Sequence, residues 1–173
     1  SLPVDDHEGP KEVARKLRKV WDVPSGPIQN LTKLVEANGA IVVHTQFRTG
    51  EMDGVYYPFP DLPPVIFLDL EQPGDRLRFT LAHELGHIVM HQDPDDPEQV
   101  EEQTNNFVGE FMMPEEEIRP QMQRLNLRKL ARLKQEWKMS MGAILVHADR
   151  VGAISHRKYR SLWTKMGRAG YRE

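Results

Sequence analysis

The residues of this 173-residue chain best suited to chemistry are His83-Glu84-Leu85-Gly86-His87. Histidines at i and i+4 lie on one face of a helix, so both imidazoles can reach a single Zn²⁺. Glu84, beside the first histidine, can approach a water on that ion. Zinc lowers the pKa of such a water to about 7, and a carboxylate so placed can take its proton as general base. The expected product is a nucleophile aimed at a peptide carbonyl. The chain has no cysteine. That excludes a disulfide framework, a Cys-ligated zinc finger, an iron–sulfur cluster and a thiol nucleophile. Any metal must be held by His, Asp or Glu.

A third protein ligand is needed. His91 continues the i+4 series, but its Cα lies about 12 Å along the helix axis from that of His83. Three ligands on one straight helix converge poorly on a tetrahedral ion, so His91 reads as a neighbouring pocket residue. The longer pattern HExxHxxGxxH is excluded, because Met90 holds the glycine position and Asp93 the last one. The remaining source is a carboxylate from the following helix: Glu98, Glu101, Glu102 or Glu110. Glu98 is close to the intervening turn and suits a cap. Spacing alone does not choose between Glu101 and Glu102. Hydrolysis also needs a donor for the developing oxyanion. Tyr56, Tyr57, Arg78, His91, His147 and His156 are the candidates.

These groups need elements to position them. Leu77, Leu81, Leu85 and Ile88 recur at helical spacing and predict a helix from Asp75 to about His91 or Gln92. After the turn at 93–97, a second helix is expected over about Glu98–Met112, and Pro114 starts a short one. Upstream, Val13, Leu17 and Val20 predict a helix from Pro10 to about Trp21. Another is expected from Pro27, capped near Ser25 and stopped by Asn38-Gly39. Strands are expected at Ala40–Thr45, Val55–Tyr57 and Pro64–Leu70, the last either as an ordinary core strand or as an edge open to an extended peptide. Further helices are predicted at Leu127–Trp137, Ser140–Val151 and Ser155–Met166. The order is helices, a small sheet, then helices, which is an α+β class. The expected organisation is a lead-in at 1–9, a core at 10–118 and a helical segment at 119–173 packed on it.

Nothing approaches the roughly 18–20 apolar residues of a membrane span, and no signal peptide is visible. The first residue is Ser1 and not Met, as expected of a piece trimmed from a longer protein. The net charge of -3 hides an asymmetry: residues 119–173 hold 14 Lys and Arg against three acids. Two halves of opposite charge attract when packed. The same balance could also face nucleic acid or an acidic partner.

Residues 75–91 read DRLRFTLAHELGHIVMH, and residues 101–114 read EEQTNNFVGEFMMP. Together they resemble the ImmA/IrrE family of bacterial zinc metallopeptidases. That family shows an R-F-T-x-A-H-E-x-G-H block followed by E-x-x-A-N-x-F-A-x-x-x-L-M-P. The second block aligns without a gap through Asn105, Phe107 and Met113-Pro114, which puts the family's glutamate ligand on Glu101. The chain departs from the pattern at Thr104 and Val108, where alanine is usual, and at Met112, where leucine is. The resemblance extends to 15–39 and 130–163. It implies a zincin-like fold, Zn²⁺ on His83, His87 and Glu101, and Glu84 as base and then acid. It also implies a cytoplasmic endopeptidase whose substrate is a helix-turn-helix repressor of stress or mobile-element genes. In the family a repressor-type helix-turn-helix domain often precedes this one.

Two rival readings use the same residues. Leu130–Val151 has the look of a helix-turn-helix with Ser140 as cap, in the basic segment, so a DNA-binding or regulatory module is the first alternative. Its recognition helix carries only Arg150 as a fixed cation, and Met141 and Gly142 cannot form bidentate base contacts. The second alternative is a metal-binding sensor without proteolysis, against which the intact Glu84 argues.

Overall fold

A computed structural model describes residues 9–47, 52–90 and 97–171. Among these residues the chain forms α1 (Pro10–Val20), α2 (Leu31–Ala37), β1 (Ile41–Thr45), β2 (Gly54–Tyr57) and β3 (Val65–Asp69). There follow α3 (Gly74–Met90), α4 (Pro97–Met112), α5 (Glu115–Ile118), a 3-10 turn at Arg119–Met122, α6 (Leu127–Trp137), α7 (Met141–Arg150) and α8 (His156–Arg168). Eight helices and one small sheet make a mixed α+β fold. Most of the lead-in and the end of the expected active helix, His91–Gln92, lie outside the described residues.

The strand order is β1-β3-β2, with β1 parallel and β2 antiparallel to β3. Of the two readings of Pro64–Leu70, the core strand holds and the open edge does not: β3 is the central strand, paired on both sides. Its near-continuous apolar run explains this, since Ile66 and Leu68 are fully buried. The open edge near α3 belongs to β2. There, Gly54 lies so close to α3 that a Cβ would come within 2.5 Å of the Thr80 side chain.

The helix α3 lies between the sheet and α4. Leu81 and Leu85 are buried with Ile66, Leu68, Phe107 and Phe111 in one core. Its N-terminal end is fastened from outside. Asp75 pairs with Lys134 of α6 at 2.9 Å. Arg78 donates to the carbonyls of Ile28 at 2.7 Å and Lys138 at 3.2 Å. Helix α1 packs on α4 through Val13, Ala14 and Leu17, and Trp21 meets Phe111 edge-on at 6.1 Å. Val20, expected in this stripe, is exposed. The buried face is centred between Val13–Leu17 and Ala14–Arg18, which turns Val20 outward.

The second helix begins four residues later than the proline suggests. Asn30, not Ser25, is its cap, accepting from the Lys33 N–H at 2.9 Å. The preceding segment bends at Ser25-Gly26 and is held from outside instead. Arg18 donates to the Pro24 and Gly26 carbonyls, and the Gly26 N–H donates to Glu117. Gly39, at φ +95, ends α2 as expected.

The α1–α4–α5 corner carries the best-supported ion pairs. Glu115 accepts from Lys11 at 3.0 Å and from Arg119. Arg119 first, and Lys11 with it, hold the Glu115 carboxyl down at about 2 against an ordinary 4.5. The folded state thus binds this proton less readily than the unfolded state. The stabilisation is whole above pH 4.5 and is lost as pH falls toward 2. Glu115→Gln is expected to lower stability at pH 7 and to flatten its fall between those values. Denaturant midpoints of both proteins from pH 2 to pH 7 check this; parallel acid profiles would contradict it.

Candidate metal centre

The helices α3 and α4 pack tightly at Gly86. A Cβ there would lie 3.0 Å from the Thr104 and Phe107 side chains. This approach brings α4 over the two histidines. His83 Nε2 and His87 Nε2 stand 3.1 Å apart. Glu101 reaches both, with Oε2 at 3.1 Å from His83 and Oε1 at 3.3 Å from His87. Candidate ligand atoms of the three residues all lie within 4.8 Å of one another. Two ligands at about 2.0–2.1 Å from a tetrahedral ion stand about 3.3–3.4 Å apart. The three side chains therefore fit a single metal ion, and their donor set, two imidazoles and a carboxylate, suits zinc.

The surroundings prepare this arrangement. Thr104 Oγ1 donates to the Val100 carbonyl at 2.8 Å, so its lone pairs face His87 Nδ1 at 3.4 Å. A proton on Nδ1 then points at Thr104 and leaves the Nε2 lone pair free for a metal. Phe79, one turn before His83, stacks on its ring at 6.1 Å and 28°. Asn105, one turn after Glu101, interacts with His83 from the other helix. Burial, first, lowers the pKa of both histidines, and the Glu101 charge partly offsets it. Neutral imidazoles are the metal-binding form.

Glu84 is buried, at 9% exposed. Burial first, and then the charge of Glu101, push its carboxyl up to about 7; a hydrogen bond from the Tyr56 backbone N–H opposes the rise. The acid thus sits between the metal trio and the edge strand β2.

The other candidates are engaged elsewhere. Glu110 is 1% exposed, bound by Arg15 at 2.8 Å and by the Glu115 N–H at 3.1 Å. Glu98 opens α4, and Glu102 is on its exposed face. Arg78 is not an oxyanion donor here: its guanidinium is spent on the Ile28 and Lys138 carbonyls. Buried His147 donates from Nε2 to the Met113 carbonyl at 2.8 Å. His156 pairs with Asp149 at 3.0 Å. Tyr56 is half-buried beside Glu84, and Tyr57 is 53% exposed with its ring edge-on to Phe67. His91 lies outside the described residues. Sequence reading missed Phe79, Thr104 and Asn105 as supports. Their signal was present, since each lies three or four positions from a ligand on the same helix.

Residues 37–148 match the family model of peptidase family M78, described as an IrrE N-terminal-like domain. The match covers more than half of the chain, and the chain belongs to this family. Membership brings a metallopeptidase-type function and implies a metal at the His83–His87–Glu101 cluster. A search of curated proteins found no match. No helix among the described residues is long and apolar enough to cross a membrane.

The Thr104 hydroxyl has a measurable consequence. Thr104→Val keeps the shape but removes the acceptor for His87 Nδ1. Zinc affinity by competition with a chelator is expected to fall about 10–100-fold, while Thr104→Ser retains it. Unchanged affinity in the valine variant would mean that Thr104 does no more than pack.

Proposed function

We propose that the chain is a zinc-dependent endopeptidase that hydrolyses an internal peptide bond in a protein substrate. The observation that carries this reading is the convergence of His83, His87 and Glu101 at the spacing of three tetrahedral ligands, with the buried acid Glu84 beside them. A zinc ion held there would supply Lewis acidity toward the scissile carbonyl and acidify a water. Glu84 takes the water's proton on its carboxylate and passes it to the leaving amine. Low solvent exposure keeps that carboxylate a proton acceptor effective near neutral pH. β2 is an edge strand that adjoins Glu84 through the Tyr56 N–H, and its edge is where an extended substrate would add, the role that one reading of the sequence gave to β3. The resemblance to ImmA/IrrE peptidases supports a helix-turn-helix repressor as substrate, cleaved in the bacterial cytoplasm to release stress or mobile-element genes.

Glu84→Gln keeps every ligand and removes the base. It is expected to bind zinc like the parent, about one per chain, and to lose cleavage by a factor of at least ~10²–10⁴. Elemental analysis and a proteolysis assay on a repressor substrate measure the two quantities, with His83→Ala as the metal-free control. Cleavage retained by the zinc-loaded Glu84→Gln protein would remove Glu84 from the mechanism.

A second reading, contact with nucleic acid, draws on α8. Arg157, Lys158, Arg160, Lys165 and Arg168 are exposed on a helix without a single acid. The helix-turn-helix version of this reading has less support, because Met141, Ile144, Leu145, His147 and Ala148 bury α7 against its neighbours. If α8 meets a phosphate backbone, Arg157→Glu with Arg160→Glu weakens duplex DNA binding and reduces its salt dependence by about two charges. An unaltered salt slope would end this reading.

A further inference from the structure

A cavity of about 580 Å³ opens beside the metal trio, between α3, α4, α7 and α8. We propose that it receives a large apolar side chain of the substrate, immediately flanking the scissile bond. The inference rests on the peptidase reading and adds the substrate class.

Its position comes first. Two of its walls are Phe79, stacked on His83, and Asn105, one turn beyond Glu101. A guest in the cavity is therefore separated from His83 by no more than the Phe79 ring and touches Asn105, which bonds His83. The size is within the range of about 300–1,000 Å³ typical of built ligand sites. That is room for a bulky side chain together with adjoining backbone.

The walls explain why the space exists. Gly109, Gly142 and Ala143 line it, and none can fill it. Gly109 has no freedom to grow: a Cβ would lie 2.4 Å from His147 Nδ1. Val146 and Trp163 complete an apolar surface.

The charges around it decide the chemistry of the guest. Asp75 is already paired with Lys134 at 2.9 Å, and Arg76 with Asp53 at 2.5 Å. His147 is buried, held by the Met113 carbonyl, and burial favours its neutral form. Arg150, the remaining charged lining residue, is exposed at the rim. A charged guest would lose its hydration without gaining a partner inside. An apolar guest loses nothing and removes its own surface from water. Burying a side chain of phenylalanine size should tighten binding about 10–100-fold.

The test uses zinc-loaded protein and two amino-acid hydroxamates, glycine and phenylalanine, which share the chelating group and differ in the side chain. Calorimetric Kd values are expected to favour the phenylalanine compound by about tenfold or more. Ala143→Phe, which fills the cavity from α7, should bring the ratio close to one with zinc content unchanged. Val146→Phe serves the same purpose should the first variant fail to fold. Equal affinities in the parent protein, or a ratio unchanged in the folded, zinc-loaded variants, would overturn the inference. The readout is independent of turnover. A retained preference with no cleavage of any peptide overturns the peptidase reading and leaves the cavity assignment standing. Cleavage without a side-chain preference does the reverse.

Discussion

The approach of α3 to α4 at Gly86 is the constraint on which the site depends. The two histidines belong to one helix, and helical geometry alone would align them. Glu101 is 14 residues beyond His87 and reaches them only because no side chain at position 86 separates the helices. Phe107 and Thr104 would lie only 3.0 Å from a Cβ there. Phe107 stacks on Phe111 at 5.4 Å, so the contact that sets the interhelical distance is continuous with the core beneath α1. Metal-binding geometry and core packing are thus one structural problem.

The same packing sets the electrostatics. Glu84 is carried on the face of α3 that turns from solvent, and the sheet closes over it through the Tyr56 N–H. A buried acid near a second carboxylate would be an unfavourable arrangement in a purely structural helix. It becomes intelligible where a cation held by Glu101 and the two histidines offsets that charge. Local departures from stability at such a site are the expected signature of function. Elsewhere, comparable groups are neutralised by partners. Glu110 is held by Arg15, Asp75 by Lys134, and Arg18 by three backbone carbonyls.

The C-terminal helices finish the centre, although none provides a ligand among the described residues. Lys134 and the Lys138 carbonyl hold the start of α3. Helices α7 and α8 wall the cavity beside His83. The basic balance of this segment is partly consumed in these internal contacts and partly displayed on α8. Counting charges along the chain could not separate those two uses.

Most elements were legible in the sequence because their signals are local. The stripe Leu77–Leu81–Leu85 marks α3, Asn38-Gly39 ends α2, and Ser140 and Ser155 cap α7 and α8. His83 and His87 were legible for the same reason, since i and i+4 share a helical face whatever surrounds them. Glu101 and Glu102 were not separable by spacing. Neighbours on a helix point about 100° apart, and only the docking of α4 decides which one faces α3. The strand order, the diversion of Arg78 to the Ile28 and Lys138 carbonyls, the outward turn of Val20 and the cavity behind His83 have the same character. Each depends on segments distant in sequence meeting in space. The sequence by itself determined the chemistry available to this protein. The tertiary structure decided which carboxylate joins the histidines and which strand edge faces them, because those choices are set by how the elements pack.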